Sequence, residues 1–401
     1  MDGWQTAYLG NVLAVLKNGL NCKQDKSGQG QKISRIESIS QASFDIGKVG
    51  YAEISYRDKS KFKLSKGDIL FSHINSPIHV GKTAVFDIEE EVYHGVNLLL
   101  MRPTPVMSAA YLELYLKYLF EQGYWLSVCK QSVNQASVNQ QDIARVPIAY
   151  PNDLAEQQRI VAILDEAFEG IATAKANTEK NLQNAREILA SAIRQVFDSL
   201  GKRYESRSLG SVCKFENGDR GKNYPGKEHR VVQGIPFINA GHLTPTGVDL
   251  ASMDYITPER FALLGNGKIQ SGDILFCLRG SLGKYASVGD LTSGAIASSL
   301  VILRPTNELD HGYLLSFLSS TLCSEQIEAY KGGSAQPNLG AKDLKQFELP
   351  LPPLEMQQLV SDRVMELQES TFELLNVTNK KLAALDELKK SLLHQAFSDQ
   401  L

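Results

Sequence analysis

No stretch of this sequence approaches 18 consecutive apolar residues, and its opening segment, MDGWQTAYLG, has neither a basic region nor an apolar one behind it. The expectation is a chain with no membrane span and no signal peptide, at work in the cytoplasm. Cysteine is sparse: Cys22, Cys129, Cys213, Cys277 and Cys323 are odd in number, widely scattered and never arranged as C-x-x-C. That pattern argues against a disulfide framework or a zinc site, and for buried free thiols in a reducing compartment.

Catalytic signatures are missing too. There is no G-x-S-x-G elbow, no H-E-x-x-H, no N-P-P-[YF], no glycine-rich cofactor loop and no Asp/Glu/Lys cluster of nuclease type. SPIHVGKT (76–83) comes within one residue of a phosphate loop, but Ser76 stands where a glycine must let the backbone curl round phosphate. Its aligned counterpart, GSLGKYA, carries no such motif. His73 and His79 can share a loop, yet two histidines fall short of a metal site. No catalytic residue and no metal site is therefore expected in this chain. A large excess of charge of either sign is also missing, and the net of −3 speaks against a generic polyanion binder.

What is present is a repeat. Leu154–Leu200 lies on Leu354–Gln400 without a gap at an offset of 200 residues, matching Gln157/Gln158 with Gln357/Gln358, Thr178 with Thr378, Leu182 with Leu382 and Phe197 with Phe397. Self-similarity on this scale governs every local reading. It reaches beyond these stretches: Leu9-Gly10 matches Leu209-Gly210, KGDILFSHI (66–74) matches SGDILFCLR (271–279), and LLLMRPTP (98–105) matches LVILRPTN (300–307). Residues 20–62 and 219–265 show almost no resemblance to each other. A shared scaffold with divergent loops is how a binding module changes its target and keeps its fold.

Each half reads as α+β. Short Val/Ile/Leu/Phe runs bounded by turn residues (GDILF, KTAVF and VNLLLMR; GIPFINA, GDILFCL, YASVG and SLVILR) predict strands, and one amphipathic helix follows, at about 109–124 and 311–330. The repeated stretches step by 3 and 4 through Leu164, Phe168, Ile171, Leu182 and Leu189, and through Leu375, Leu382, Leu385 and Leu392. Gln368 and Lys389 interrupt the second series. This is a coiled-coil seam about five heptads long, and the expected arrangement is an antiparallel pair holding two globular halves apart. The expected bounds are 1–150 and 201–349 for the globular halves, 151–200 and 350–401 for the long helices.

Charge is unevenly placed. Residues 151–200 and 350–401 each hold five Lys+Arg against eight Asp+Glu, whereas residues 17–66 hold eleven against five. Basic loops with acidic helices allow local nucleic-acid contact. Two polar segments recur in both halves. HINSPIHVGK (73–82) and LRGSLGK (278–284) follow the Gly-Asp strand; KQSVNQASVNQQDI (130–143) and KGGSAQPNLGAKDL (331–344) precede the long helix. Asn, Gln, Arg, Lys and Ser are the side chains that read base edges or grip phosphates. The candidates for DNA contact are His73, Asn75, Ser76, Lys82, Asn134 and Gln135 in the first half. In the second they are Arg279, Ser281, Lys284, Ser334, Gln336 and Asn338. The divergent stretches add Lys23, Lys32 and Arg35, and Arg220 with Lys222.

Together, the paired GDILF strands, the GSLGK turn, the RPT strand ends, and the approaches YPNDLAEQQRIVAILDE and LPLPPLEMQQLVSDRV resemble the specificity subunit of type I restriction–modification systems across the whole chain. The first half departs from that form at NSPIHVGK. The resemblance implies two target-recognition domains, each reading half of a split double-stranded DNA site. It also implies an antiparallel coiled coil that sets their spacing and docks two methyltransferase subunits, with restriction subunits as further partners. S-adenosylmethionine, ATP and Mg would then belong to partner chains, and this one would bind no cofactor. Two alternatives stand beside it: a coiled-coil scaffold joining two ligand-binding domains unrelated to DNA, and a stand-alone DNA-modifying enzyme.

Overall fold

The computed structural model describes residues 3–41, 43–132, 135–333 and 337–398. The chain forms two compact units whose division falls inside the long helices: Met1–Thr178 with Lys380–Leu401, and Glu179–Asn379. Each is built round the same four-stranded antiparallel sheet. The strand order is Leu13–Asn18, Leu99–Pro103, Asp68–Phe71, Thr83–Phe86 in the first unit, and Cys213–Asn217, Leu300–Pro305, Ile274–Cys277, Tyr285–Ser287 in the second.

The GDILF strands read as unbroken apolar runs because both of their faces are covered. Ile69 and Phe71 point into a core shared with helix Ala109–Glu121 and the long helices, while Leu70 points into a second core beneath the divergent segment. Ile274 and Phe276, against Leu275 and Cys277, repeat the division. One face of each sheet therefore belongs to the repeated scaffold and the other to the part that differs. In the first unit that part holds a hairpin-like pair, Gln31–Ile33 with Gly50–Ala52, and helix Tyr56–Phe62. In the second it holds a separate four-stranded sheet containing Arg230–Val231, Asp254–Ile256, Ile235–Ile238 and Ala295–Ile296.

The GD and RPT words, which are distant in sequence, are one structural device. Asp68 is fully buried and accepts from Arg102 Nε (2.6 Å) and Nη2 (2.8 Å), while Asp273 accepts from Arg304 Nε (2.7 Å) and Nη2 (2.8 Å). Each carboxylate also accepts a turn amide, from Ser65 or Gln270 at 2.8 Å. A bidentate guanidinium satisfies a carboxylate that burial would otherwise penalise. Gly67 (φ +83°) and Gly272 (φ +79°) supply the left-handed residue before each aspartate.

Helix Ala109–Glu121 ends where Gly123 takes φ +69°. The single helix expected at 311–330 is two, His311–Leu318 and Thr321–Tyr330. The break falls at Ser320, whose backbone is extended and whose hydroxyl caps Cys323 N at 3.2 Å, in keeping with serine's preference for helix starts. Trp4–Tyr8 runs antiparallel to Pro147–Pro151, and Ser206–Ser208 to Glu348–Pro350, so each globular part is closed by its own first and last strands.

The long helices run Leu154–Gly201 and Leu354–Phe397, 48 and 44 residues. Gln157 and Gln357 latch each to its own globular part. Gln157 Oε1 accepts from Ser108 N (2.8 Å), and its Nε2 donates to Val106 O (3.0 Å) and Pro151 O (2.9 Å). Gln357 repeats this with Asp310 N (2.7 Å), Glu308 O (2.9 Å) and Pro352 O (2.8 Å).

The helices pair antiparallel. In the first unit Leu164 and Leu393 share a core, Lys389 Nζ sits 5.2 Å over the Phe168 ring, and Lys175 Nζ donates to Asp386 Oδ1 at 2.7 Å. In the second unit Ile193 and Phe197 share a core with Val360 and Val364. Of the seam residues read from the sequence, Leu164 and Ile171 are buried, and Phe168, Leu182, Leu189, Leu375, Leu382, Leu385 and Leu392 are half-buried. Lys389 thus caps a ring instead of breaking the seam. Thr178 and Thr378 are buried, each hydroxyl bonded to the carbonyl four residues back (2.6 and 2.7 Å).

Candidate functional site

In both units the two recurrent polar segments meet. In the first, Ile74–Asn75 pairs with Gln135–Ser137, which pairs in turn with Lys130–Ser132, and Val138 N donates to His73 O at 2.9 Å. In the second, Arg279 bridges to Asn338 through the backbone, and Leu339 N donates to Leu278 O at 2.9 Å. Val138 and Leu339, His73 and Leu278 are aligned positions. The strand leaving each sheet and the loop approaching each long helix are therefore stitched together in the same way twice, and they project polar side chains from one place.

On the first unit Asn75, Ser76 and Gln135 line an open hollow of about 660 Å³, together with Ile36, Asn97 and Ser132. Asn75 is partly used locally: its Oδ1 accepts from Ser76 N (2.8 Å) and its Nδ2 donates to Ser72 Oγ (3.1 Å). Gln135 is exposed. Lys82 Nζ donates to Ser40 O at 3.0 Å. His73 is buried, and burial pushes its pKa down to about 4, so it is neutral at pH 7 with Nδ1 unpartnered. It stands under the site more than on it. The segment that nearly forms a phosphate loop owes its glycine to packing, for a Cβ on Gly81 would lie 2.1 Å from Trp125 Cδ1.

On the second unit Gly280 (φ +79°) and Gly283 (φ +80°) make the GSLGK turn possible, and a Cβ on Gly283 would press against Ile327. Arg279, Ser281 and Asn338 are exposed, and Lys284 Nζ donates to Ala240 O at 3.0 Å. Asn134, Ser334 and Gln336 lie outside the described residues.

Among the charged candidates of the divergent segments, Lys32 and Arg35 are less available than their sequence suggests. Lys32 pairs with Glu90 and Arg35 with Glu37 (3.1 Å). Lys63 pairs with Glu91 at 2.7 Å and Lys66 with Glu89 at 2.5 Å. The run Asp87–Glu91 thus offsets much of the basic excess of residues 17–66, although it lies outside that window in the sequence. Lys23 is exposed, as are Arg220, which donates to Ser298 O at 3.2 Å, and Lys222. Asn97 and Ile36, which help line the first hollow, belong to no recurring segment, so no signal marked them.

Among the described residues no helix is long and apolar enough to cross a membrane, and no group of three His, Cys, Asp or Glu could hold a metal ion. The five cysteines are free. Cys213, Cys277 and Cys323 are buried, but Cys22 and Cys129 are only half-buried, which corrects the expectation that all five are enclosed.

Comparison with known proteins agrees with this geometry. The family model described as "Type I restriction modification DNA specificity domain" matches twice, at residues 1–184 and 201–384. The chain is 30% identical to the putative type I restriction enzyme MjaX specificity subunit of Methanocaldococcus jannaschii, over 98% of this chain and 92% of that protein. Two solved structures share its fold. One is a chain from work on complex assembly and conformational transition of the type I R-M system (18% identity, TM-score 0.80, covering 100% of this chain and 99% of that one). The other is the HsdS subunit from Thermoanaerobacter tengcongensis (19%, 0.60, 100% and 98%).

Proposed function

The chain belongs to the type I restriction modification DNA specificity family, and from that premise we propose that it is the sequence-specific DNA-binding subunit of a type I restriction–modification complex. Each unit reads one half of a split double-stranded site, and the paired helices, about 70 Å long at 1.5 Å per residue, fix the spacing between the halves. The observation that carries this reading is the repeated convergence of the two polar segments: Val138 N with His73 O, and Leu339 N with Leu278 O. A reader needs a rigid scaffold and side chains free to reach base edges, and both units provide them.

The subunit is non-catalytic in this reading and acts in the cytoplasm. Two methyltransferase subunits dock on the helices and supply S-adenosylmethionine chemistry; restriction subunits, where present, bring ATP and Mg. The offset lysines fit that division of labour. With Lys32, Lys63 and Lys66 already paired, fewer of this chain's cations are free for phosphate, which supports a contribution from the partners to the contacts that dominate affinity. The test is selection from a random DNA pool by this chain co-purified with its methyltransferase subunits. A split motif with a fixed gap is expected. Formation of the complex without enrichment of any motif would remove DNA reading from both units.

A further inference from the structure

The two reading faces differ in chemistry, and the difference bears on which bases each can specify. This inference rests on the DNA-reading assignment above. Guanine offers two acceptors in the major groove, N7 and O6, which a guanidinium fork grips together; adenine offers an acceptor and a donor, which an amide matches, and thymine adds a methyl group suited to apolar contact.

On the second unit Arg279 leads the GSLGK turn. Its backbone is fixed by the bridge to Asn338 and its side chain is exposed. Among the described residues no carboxylate lies within ion-pair distance of it, whereas Arg304 and Arg230 are tied to Asp273 and Asp254. Arg279 is thus a guanidinium on a rigid turn with its fork uncommitted.

No arginine stands at the equivalent place in the first unit. The residue aligned with Arg279 is Ile74, and the hollow beside it is lined by amides, isoleucines and two serines: Gln135 and Asn97, both exposed, Asn75, Ile36, Ile74, Ser76 and Ser132. The arginine nearest in sequence to that lining, Arg35, has Nε and Nη2 on Glu37 at 3.2 and 3.1 Å. The lysine that closes the same segment, Lys82, is turned onto Ser40 O.

We propose that Arg279 reads a guanine in the half-site of the second unit, and that the first unit specifies its half-site through adenine–thymine pairs, using the amides of Gln135 and Asn97. The test uses the intact complex with its methyltransferase subunits, comparing random-pool selection by the wild type, Arg279→Ala, Arg279→Gln and Gln135→Ala. Arg279→Ala should relax one G·C position in one half-site by about ten- to a hundredfold, the discrimination of one bidentate contact. Arg279→Gln should shift that position toward adenine. Gln135→Ala should relax an A·T position in the other half only.

If Arg279→Ala leaves every position as strict as before, or weakens all sequences evenly as loss of a phosphate contact does, the base assignment is overturned while DNA reading stands. A G·C position relaxed by Gln135→Ala would overturn the second clause in the same way. Failure of the wild-type complex to enrich any motif would sink the DNA-reading assignment itself.

Discussion

Replacing Gln157 with alanine tests how the long helix is held to its globular part. The side chain is fully buried and makes three hydrogen bonds, to Ser108 N, Val106 O and Pro151 O, all of them backbone groups. Removing it leaves those groups without their partner. A stranded buried polar group costs about 1–3 kcal/mol. Only the Pro151 contact is deeply buried and the other two are part-exposed, so the low end applies to two of the three. The expected loss is about 3–5 kcal/mol. With a urea dependence of about 2–3 kcal/mol per molar, that lowers the unfolding midpoint by roughly 1–2.5 M. Trp4 and Trp125, the only tryptophans, both lie in the first unit, so tryptophan fluorescence follows that unit alone. Gln157→Ala should shift the fluorescence transition, whereas Gln357→Ala should shift the circular-dichroism transition of the second unit by a similar amount. A change below about 1 kcal/mol in either variant would refute the latch, as would a fluorescence shift from Gln357→Ala equal to that from Gln157→Ala.

Three further outcomes follow from the same structure. Asp68→Ala should cost about 2–4 kcal/mol by fluorescence-monitored unfolding, because it strands Arg102 beside a buried turn; adding Arg102→Ala should recover part of the loss, and strictly additive losses would contradict the pairing. His73 and His94 are buried with pKa values pushed down to about 4 from 6.5, so between those values the unfolded chain binds protons that the folded one does not. The first unit should therefore lose about 1.4 kcal/mol of stability per pH unit for each histidine as pH falls from about 6.5 to 4, below which the histidines add no further loss; a urea midpoint independent of pH across that window would exclude it. Inserting one heptad at matched depths, near Lys175 and Leu375, lengthens the helical spacer by about 10 Å and should change the preferred gap in the selected DNA with both half-site sequences intact. An unchanged gap would end the ruler idea.

The repeat made much of the fold legible. An apolar run between glycine turns can be read locally, and a second copy at an offset of 200 residues removes the ambiguity of a single weak pattern. The seam was legible because heptad spacing survives at Leu164, Ile171 and Leu382 whatever surrounds them. The sequence did not reveal partnership. Asp68 and Arg102 stood in two recurring words, and nothing in either pointed to the other. Gln157 and Gln357 were visible as matched residues, but their three acceptors and donors are backbone groups, which carry no side-chain signature. The pairing of charges is hidden for a related reason: Lys32, Lys63 and Lys66 meet Glu89–Glu91 only after the chain has folded back, so a sequence window counts their charge but not their partners. The site was legible as two recurring polar segments, and their meeting was not, since it depends on hydrogen bonds between segments more than 60 residues apart in each half.

The division of the chain inside its long helices has a consequence for the order of events during synthesis. The core of the first unit includes Leu393, Ala396 and Phe397, the last of which lies 5.3–5.5 Å from the rings of Tyr111, Tyr115 and Tyr118. The second unit draws only on residues 179–379. The half that leaves the ribosome first is thus the last to be completed. At about 5–20 residues per second its tyrosine-lined groove waits roughly 10–40 s for its final turns of helix, and throughout that interval it is a template to which the corresponding helix of another nascent chain could bind.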